Sequence, residues 1–167
     1  DRQLLMFTNG ARSFLDKMKQ MEYKIILVTN QPAIAMGIYN EEEFLSFVQY
    51  MDAQLEGGLD DTYYCSHAVP EEGGFTCTCR KPQPGMLLEA AKKHEICLEK
   101  SWMIGDILDD VEAGNRAGCR TILLNNGGET QRVYGTMREP DFIVTEFDEA
   151  EKIIVNETKR LKLHPTI

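Results

Sequence analysis

Apolar residues along this chain recur in two alternating patterns. Between residues 11 and 21 they follow a helical period, and the short apolar run Ile25-Ile26-Leu27-Val28 then ends in polar residues, which predicts a helix followed by a buried strand. Asn40 with Glu43 resembles a helix cap, and Pro84 can open another helix. The same patterns predict further helices at 109–117 and 147–163, and further strands at 62–65, 102–106, 121–124 and 141–145.

Strands that alternate with helices of this length predict a parallel sheet covered by helices on both faces. No repeat or linker interrupts residues 1–167, so we expect a single doubly wound α/β domain. In the helix after Pro84, we expect Leu87, Leu88 and Ala91 to face inward together with His94, which makes His94 structural rather than catalytic.

Composition narrows the class of protein. The chain has 167 residues, 43% of them hydrophobic and 27% charged, which is ordinary for a globular protein. Its 18 basic and 27 acidic side chains give a net charge of −9, which repels nucleic acid. No apolar run is long enough for a membrane span and no signal peptide is visible. We expect a cytoplasmic monomer that binds a small molecule, with no nucleic-acid or membrane partner.

Four soft metal ligands lie close together in the sequence. Cys65-Ser66-His67 is followed by Cys77-Thr78-Cys79, and three thiolates with one imidazole complete a tetrahedral, structural Zn²⁺ site. Disulfide bonds or simply buried thiols are the alternative, although Cys77 and Cys79 are too close to bond each other without strain. The remaining two cysteines, Cys97 and Cys119, are interpreted as packed small hydrophobic residues.

Polar residues stand where three predicted strands or their loops end. Thr29-Asn30-Gln31 follows the first apolar run, Lys81 ends the cysteine loop (residues 65–81), and Asp106 follows Gly105. In doubly wound sheets ligands bind at the carboxyl ends of the strands. A hydroxyl, a cation and a carboxylate able to hold Mg²⁺ are what a phosphoryl-transfer site needs. Each residue alone also has a structural interpretation, as a strand cap, a surface lysine or a helix cap.

Longer segments around these residues resemble a known family. Residues 28–37 read Val-Thr-Asn-Gln-Pro-Ala-Ile-Ala-Met-Gly, residues 79–86 read Cys-Arg-Lys-Pro-Gln-Pro-Gly-Met, and Ile104-Gly105-Asp106 is followed by Asp109 and Asp110. Together with the cysteine loop, they are similar to the haloacid dehalogenase (HAD) superfamily. Within it they resemble the zinc-containing D-glycero-D-manno-heptose 1,7-bisphosphate phosphatases and histidinol-phosphate phosphatases, over about residues 5–150.

This resemblance implies a capless HAD-like fold and a role for each matching residue. Thr29 would hydrogen-bond the transferring phosphoryl group, Lys81 would stabilise its charge, and Asp106 would bind Mg²⁺. Asp109 or Asp110 would support that metal. The remaining residues that the resemblance places in the substrate pocket are Asn30, Gln31 and Arg80.

Two features depart from the family pattern. Family members begin with a strand ending in Asp-x-Asp-Gly-Thr, which carries the nucleophile and the general acid/base, and nothing near Asp1 matches it. That strand would be central, between those ending at Asn30 and Asp106, so we expect the sequence to be incomplete at its N-terminus and inactive alone; a chain that never had the strand is the alternative. Ile107 replaces a lysine that meets substrate, which leaves the substrate open.

The function expected from these residues is a Mg²⁺-dependent phosphatase of a small phosphorylated metabolite. A heptose bisphosphate is the favoured substrate, hydrolysed through an aspartyl-phosphate on a residue upstream of this sequence. The alternatives are a histidinol-phosphate phosphatase and a non-catalytic phosphate-binding domain. A third interpretation is that the cysteine loop is a zinc knuckle that binds another protein or a nucleic acid. The acidic net charge argues against nucleic acid.

Overall fold

A computed structural model describes residues 2–69, 74, 76–129 and 132–163. Asp1 lies outside these ranges, as does part of the cysteine loop. The strands are β1 (Ile26–Asn30), β2 (Asp61–Cys65), β3 (Trp102–Gly105), β4 (Arg120–Leu124) and β5 (Phe142–Val144). The α-helices are α1 (Ala11–Gln20), α2 (Pro32–Ala35), α3 (Glu41–Gln54), α4 (Gly85–His94), α5 (Leu108–Ala117) and α6 (Phe147–Leu163).

Every strand pair in the described part of the chain is parallel, which confirms the predicted fold class. β1 pairs with β2, with Thr29 opposite Tyr64. β3, β4 and β5 form a second sheet in that order, with Gly105 opposite Leu123. No ladder joins β1 to β3 among these residues, so the strands form two sheets rather than one.

Helices cover both faces of the three-stranded sheet. Ile122 of β4 is fully buried in a cluster with Phe14 of α1 and Ile154 of α6. The next residue, Leu123, points the opposite way, as alternation along a strand requires, and packs on Leu108 and Val111 of α5. β4, the most deeply buried of the described strands, is therefore covered by helices on both faces, as a doubly wound arrangement requires.

Local sequence signals correctly predicted where α3 and α4 begin. The Asn40 side chain accepts a hydrogen bond from the Glu43 backbone at 2.9 Å, and the Glu43 carboxylate accepts one from the Asn40 backbone at 2.8 Å, so the predicted cap of α3 is a complete capping box. Pro84 immediately precedes α4. No described helix is both long and apolar enough to cross a bilayer.

Three expectations about burial were wrong. β1 is half-buried along its whole length rather than buried, because one of its edges has no partner strand among the described residues. Leu88 is 47% exposed, because the inward face of α4 consists of Met86, Leu87 and Ala90. Cys97 is exposed, whereas Cys119 packs against the Leu87 and Met103 cluster as expected.

Candidate active site

Lys81, the predicted cation of the phosphate site, contacts both β1 and α5. Its ammonium Nζ lies 2.6 Å from Asp110 Oδ1 and donates a hydrogen bond to the backbone oxygen of Val28 at 2.9 Å. Both charged side chains are almost completely buried. An ion pair removed from water keeps its charges in fixed positions, because moving either would leave the other uncompensated.

The Val28 contact places Lys81 at the open edge of β1. Ile25 and Gln31 bond through their backbones to the β2 side, at Asp60 and Cys65. Because successive residues of a strand face opposite neighbours, the carbonyl of Val28 points to the other edge. Asp110 belongs to α5, which follows β3. Lys81 therefore connects the β1 sheet to the β3 sheet.

Asn30 holds Lys81 in this position. Its amide Nδ2 donates to the Lys81 backbone oxygen, and its Oδ1 accepts from the Lys81 backbone nitrogen, both at 3.0 Å. This two-point contact ties the loop that follows the cysteines to the end of β1. In this structure the amide that the resemblance placed in the substrate pocket is engaged with the protein backbone.

The two adjacent acids of α5 have different partners. Asp110 packs so closely on Gly105 that a Cβ at Gly105 would lie 2.2 Å from its carboxylate, and only glycine fits there. Asp109 instead pairs with Arg138 at 2.8 Å. Of the two candidates for supporting a metal near Asp106, Asp110 is the one that contacts Lys81.

Carboxylate oxygens at this position fit a hard divalent cation. Asp106 is exposed at the end of β3. Asp110 Oδ1 is buried and, apart from its ion pair with Lys81, has no hydrogen-bond partner in the described ranges. Oxygen ligands with unused lone pairs are those that Mg²⁺ prefers. Carboxylate oxygens of this kind would suit Mg²⁺, and Asp106 and Asp110 are the residues that would hold it.

Thr29 lies at the end of β1, and its hydroxyl contacts Gln31. Gln31 Nε2 donates to Thr29 Oγ1 at 3.0 Å, and the Tyr39 hydroxyl donates to Gln31 Oε1. On the other side of the site, Arg80 has a buried Nη1 for which the described residues provide no acceptor. Most buried polar groups in proteins are hydrogen-bonded, so this donor keeps bonding capacity that a ligand could use.

The four predicted zinc ligands form one compact cluster. The Sγ atoms of Cys65, Cys77 and Cys79 and a ring nitrogen of His67 all lie within 4.8 Å of one another. His67 Nδ1 is 3.2 Å from Cys79 Sγ, and the Cys65 and Cys77 sulfurs are 3.7 Å apart. Ligands of a tetrahedral Zn²⁺ with bonds of about 2.3 Å lie roughly 3.7 Å apart, so the cluster fits that ion.

All five cysteines are free, so the structure does not support the disulfide alternative. Burial and the neighbouring thiols raise the pKa of Cys79 to about 12 when no metal neutralises the cluster. A bound Zn²⁺ reverses this effect, because a coordinated thiol is deprotonated. The cluster is adjacent in sequence to Arg80 and Lys81, so a metal there would fix the start of the loop that carries both cations.

Sequence patterns missed three residues around the site. Asn126 Nδ2 donates to Asp106 Oδ2 at 3.3 Å. Both carboxylate oxygens of Glu129 accept from the backbone of Leu108 at the start of α5, at 3.2 and 3.1 Å. Tyr39 bonds to Gln31. Asn126 and Glu129 follow β4, and the carboxyl ends of strands are the signal that could have identified them.

Comparison with known proteins identifies relatives along most of the chain. A HAD-hydrolase-like family model matches residues 78–150. The D-glycero-beta-D-manno-heptose-1,7-bisphosphate 7-phosphatase of Photorhabdus laumondii is 38% identical over 156 residues, covering 90% of this chain and 77% of that protein. The phosphatase of the same name from Helicobacter pylori is 43% identical over 122 residues, covering 71% of this chain and 68% of that protein.

A solved structure resembles the fold closely. The D,D-heptose 1.7-bisphosphate phosphatase of B. bronchiseptica, crystallised with magnesium and phosphate, superimposes with a TM-score of 0.79 at 26% identity. The match covers 94% of this chain and 88% of that one. These likenesses extend across both sheets and the helices between them.

Proposed function

We propose, from the premise that this chain belongs to the HAD-like family of D-glycero-beta-D-manno-heptose-1,7-bisphosphate 7-phosphatases, that it hydrolyses a phosphate ester of a heptose bisphosphate. The observation that carries the proposal is the position of Lys81, buried between the open edge of β1 and Asp110. This position supports phosphoryl binding, because ligands of such sheets bind at the carboxyl ends of the strands and a transferring phosphoryl group needs a fixed cation there to compensate its charge.

Each residue near Lys81 has a distinct part in this proposal. The Thr29 hydroxyl donates to one phosphoryl oxygen while the Lys81 ammonium neutralises another. Asp106 and Asp110 hold Mg²⁺, which when bound neutralises charge on the phosphoryl oxygens. The guanidinium of Arg80, with its unpaired Nη1, binds the second phosphate or a sugar hydroxyl of the substrate.

The nucleophile in this proposal is an aspartate on a strand outside the 167 residues. In the described structure β1 and β3 are not joined to each other, and the strand expected from the family motif would have its place between them. The aspartate oxygen attacks phosphorus, and the bond to the sugar oxygen breaks as that oxygen takes up a proton from a second acid. Water then hydrolyses the aspartyl-phosphate, which releases inorganic phosphate and regenerates the carboxylate.

Zinc has a structural part here. The Cys65, His67, Cys77 and Cys79 cluster uses all four positions of a tetrahedron and leaves none open for water. Its contribution is to hold the loop so that Arg80 and Lys81 face the site.

A chimaera tests the proposed function. A strand that ends in the family motif Asp-x-Asp-Gly-Thr is joined ahead of residue 2, and phosphate release is measured with heptose 1,7-bisphosphate, other sugar bisphosphates and histidinol phosphate. We expect magnesium-dependent release from the heptose bisphosphate, and no release when the first aspartate of the added strand is changed to asparagine. A chimaera that binds these esters without hydrolysing any of them, or that prefers histidinol phosphate, would contradict the proposal.

A further inference from the structure

Tyr39 is an exception in an exposed segment. Residues 35–38 are all exposed, with Met36 at 67% and Ile38 at 66%, whereas Tyr39 is half-buried. A turn at Gly37, with φ of +68°, and a hydrogen bond from Ile38 N to Ala33 O at 3.0 Å bring the chain back toward β1. Glycine adopts this left-handed conformation at no steric cost. The turn thus directs a single aromatic side chain inward.

The hydroxyl of that side chain begins a chain of two hydrogen bonds. Tyr39 donates to Gln31 Oε1, and Gln31 Nε2 donates to Thr29 Oγ1 at 3.0 Å. All three side chains are at least partly buried. The side-chain amide of Gln31 is thereby bonded at both ends, and it cannot rotate without losing both hydrogen bonds.

We infer that Tyr39 is a positioning residue, which acts through Gln31 to direct the hydroxyl proton of Thr29 toward a bound phosphoryl oxygen. The inference rests on the proposed function. A threonine hydroxyl has one proton and can accept as well as donate. When Oγ1 accepts from the Gln31 amide, its own proton stays available for an oxygen that only accepts. With the amide reversed, Gln31 Oε1 would compete for that proton.

Tyr39→Phe removes the hydroxyl and keeps the ring, so it isolates this effect. The matched control is Tyr64→Phe. Tyr64 is paired with Thr29 in the β1–β2 ladder, yet its hydroxyl bonds to Glu41. The two variants therefore make the same chemical change beside the same strand.

The first measurement needs no ligand. The side-chain amide resonances of Gln31 are assigned in a ¹⁵N-labelled chain by their loss in Gln31→Ala. We expect Tyr39→Phe to shift them and Tyr64→Phe to leave them in place. Gln31 resonances that do not respond to Tyr39→Phe would overturn the inference, whatever the protein binds.

The second measurement is the affinity for orthophosphate with magnesium chloride present. We expect Tyr39→Phe to weaken binding about fivefold, the typical effect of one neutral hydrogen bond, and Tyr64→Phe to have no effect. In a Thr29→Val background, Tyr39→Phe should change nothing further. A loss that persists in that background would show a general structural role and overturn the inference.

The same titration separates this inference from the function on which it rests. If Thr29→Val binds orthophosphate as tightly as the wild type, both the assigned role of Thr29 and the positioning role of Tyr39 are wrong. If Thr29→Val weakens binding and Tyr39→Phe does not, only the positioning role is wrong.

Discussion

Two lysine–aspartate ion pairs lie near the β1–β2 sheet, and they differ in burial and in the end of the strands at which they lie. Lys81 and Asp110 are 2.6 Å apart, with side chains 10% and 6% exposed. Lys93 and Asp61 are 2.8 Å apart, with side chains 63% and 21% exposed. The first pair lies near the carboxyl end of β1, and the second lies at the start of β2, where ligands of such sheets do not bind.

Their hydrogen bonds explain the difference in role. Besides Lys93, Asp61 accepts from the Thr62 backbone at 2.8 Å and pairs with His94 Nε2 at 2.6 Å, so its oxygens are satisfied. Near Lys81, in contrast, Asp106 is exposed and Arg80 Nη1 has no acceptor among the described residues. Burial together with unused bonding capacity distinguishes the candidate ligand site at Lys81 from the ion pair at Lys93. The Asp61 cluster also accounts for His94, which is structural, as the sequence predicted.

The largest expected effect separates Asp106 from Asp109. In a chimaera carrying the nucleophile strand, Asp106→Asn should lower turnover by about 100-fold or more, because it removes charge that holds Mg²⁺. Asp109→Asn is the matched control, since that carboxylate binds Arg138 instead. Steady-state phosphate release measures both. Equal losses in the two variants would mean that Asp109 supports the metal as much as Asp106 does, and that its assignment to Arg138 alone is wrong.

Removal of the zinc ligands should have the next largest effect. We expect about one zinc per chain, and Cys77→Ser should lose the metal and lower the free energy of unfolding by at least about 2 kcal/mol, because metal binding at such sites is coupled to folding. Cys97→Ser, which changes an exposed thiol, is the control. Metal analysis and denaturant unfolding test this, and a metal-free wild type purified without chelator would refute it.

A smaller, pH-dependent effect is expected at Asp61. Lys93 is the main cause that holds the pKa of this carboxyl well below its usual range, with His94 and the Thr62 backbone contributing. Since the folded-state pKa is lowered, the stabilisation is complete above the unfolded pKa of about 3.9 and is lost as pH falls below it.

Asp61→Asn should therefore lower the free energy of unfolding by about 1 kcal/mol at pH 7, a modest value because water reaches the pair. The deficit should shrink below about pH 4. Urea unfolding at several pH values measures it. A deficit that grows on acidification would contradict the assigned direction of the pKa shift.

The smallest effect is expected from Lys93→Met. Its ammonium is largely exposed, and exposed ion pairs contribute little to stability and are screened by salt. The urea midpoint at neutral pH should stay close to that of the wild type, and orthophosphate binding should be unchanged. A clear loss of phosphate binding would mean that a charge at the start of β2, opposite the carboxyl ends of the strands, contributes to phosphate affinity.

Much of the site could be predicted because its signals are local. The four zinc ligands fall within 15 residues, and polar residues after apolar runs marked the strand ends at Thr29 and Asp106. The face of α4 that packs inward was harder to predict. A face that contains Leu87 and Leu88 and one that contains Met86 and Leu87 differ by a rotation of about 100° around the helix axis. The expectation of a monomer stays a prediction.

Other features depend on contacts between distant segments. Asn126 reaches Asp106 across 20 residues of sequence, and Asn30 reaches the Lys81 backbone across 51. Neither contact has a periodic signature. The role of Tyr39 could not be predicted for a related reason. Its side chain is half-buried while its neighbours are exposed because the chain turns at Gly37, and this turn has no periodic signature.

The most direct test compares the two lysines in the chimaera. Phosphate release from heptose 1,7-bisphosphate is measured for Lys81→Met and Lys93→Met under identical conditions. The buried cation at the strand ends should be essential, so we expect Lys81→Met to lower kcat by about 100-fold or more and Lys93→Met to leave it within about twofold. Comparable kcat values for the two variants would contradict the claim that the phosphatase site is built around Lys81 and Asp110.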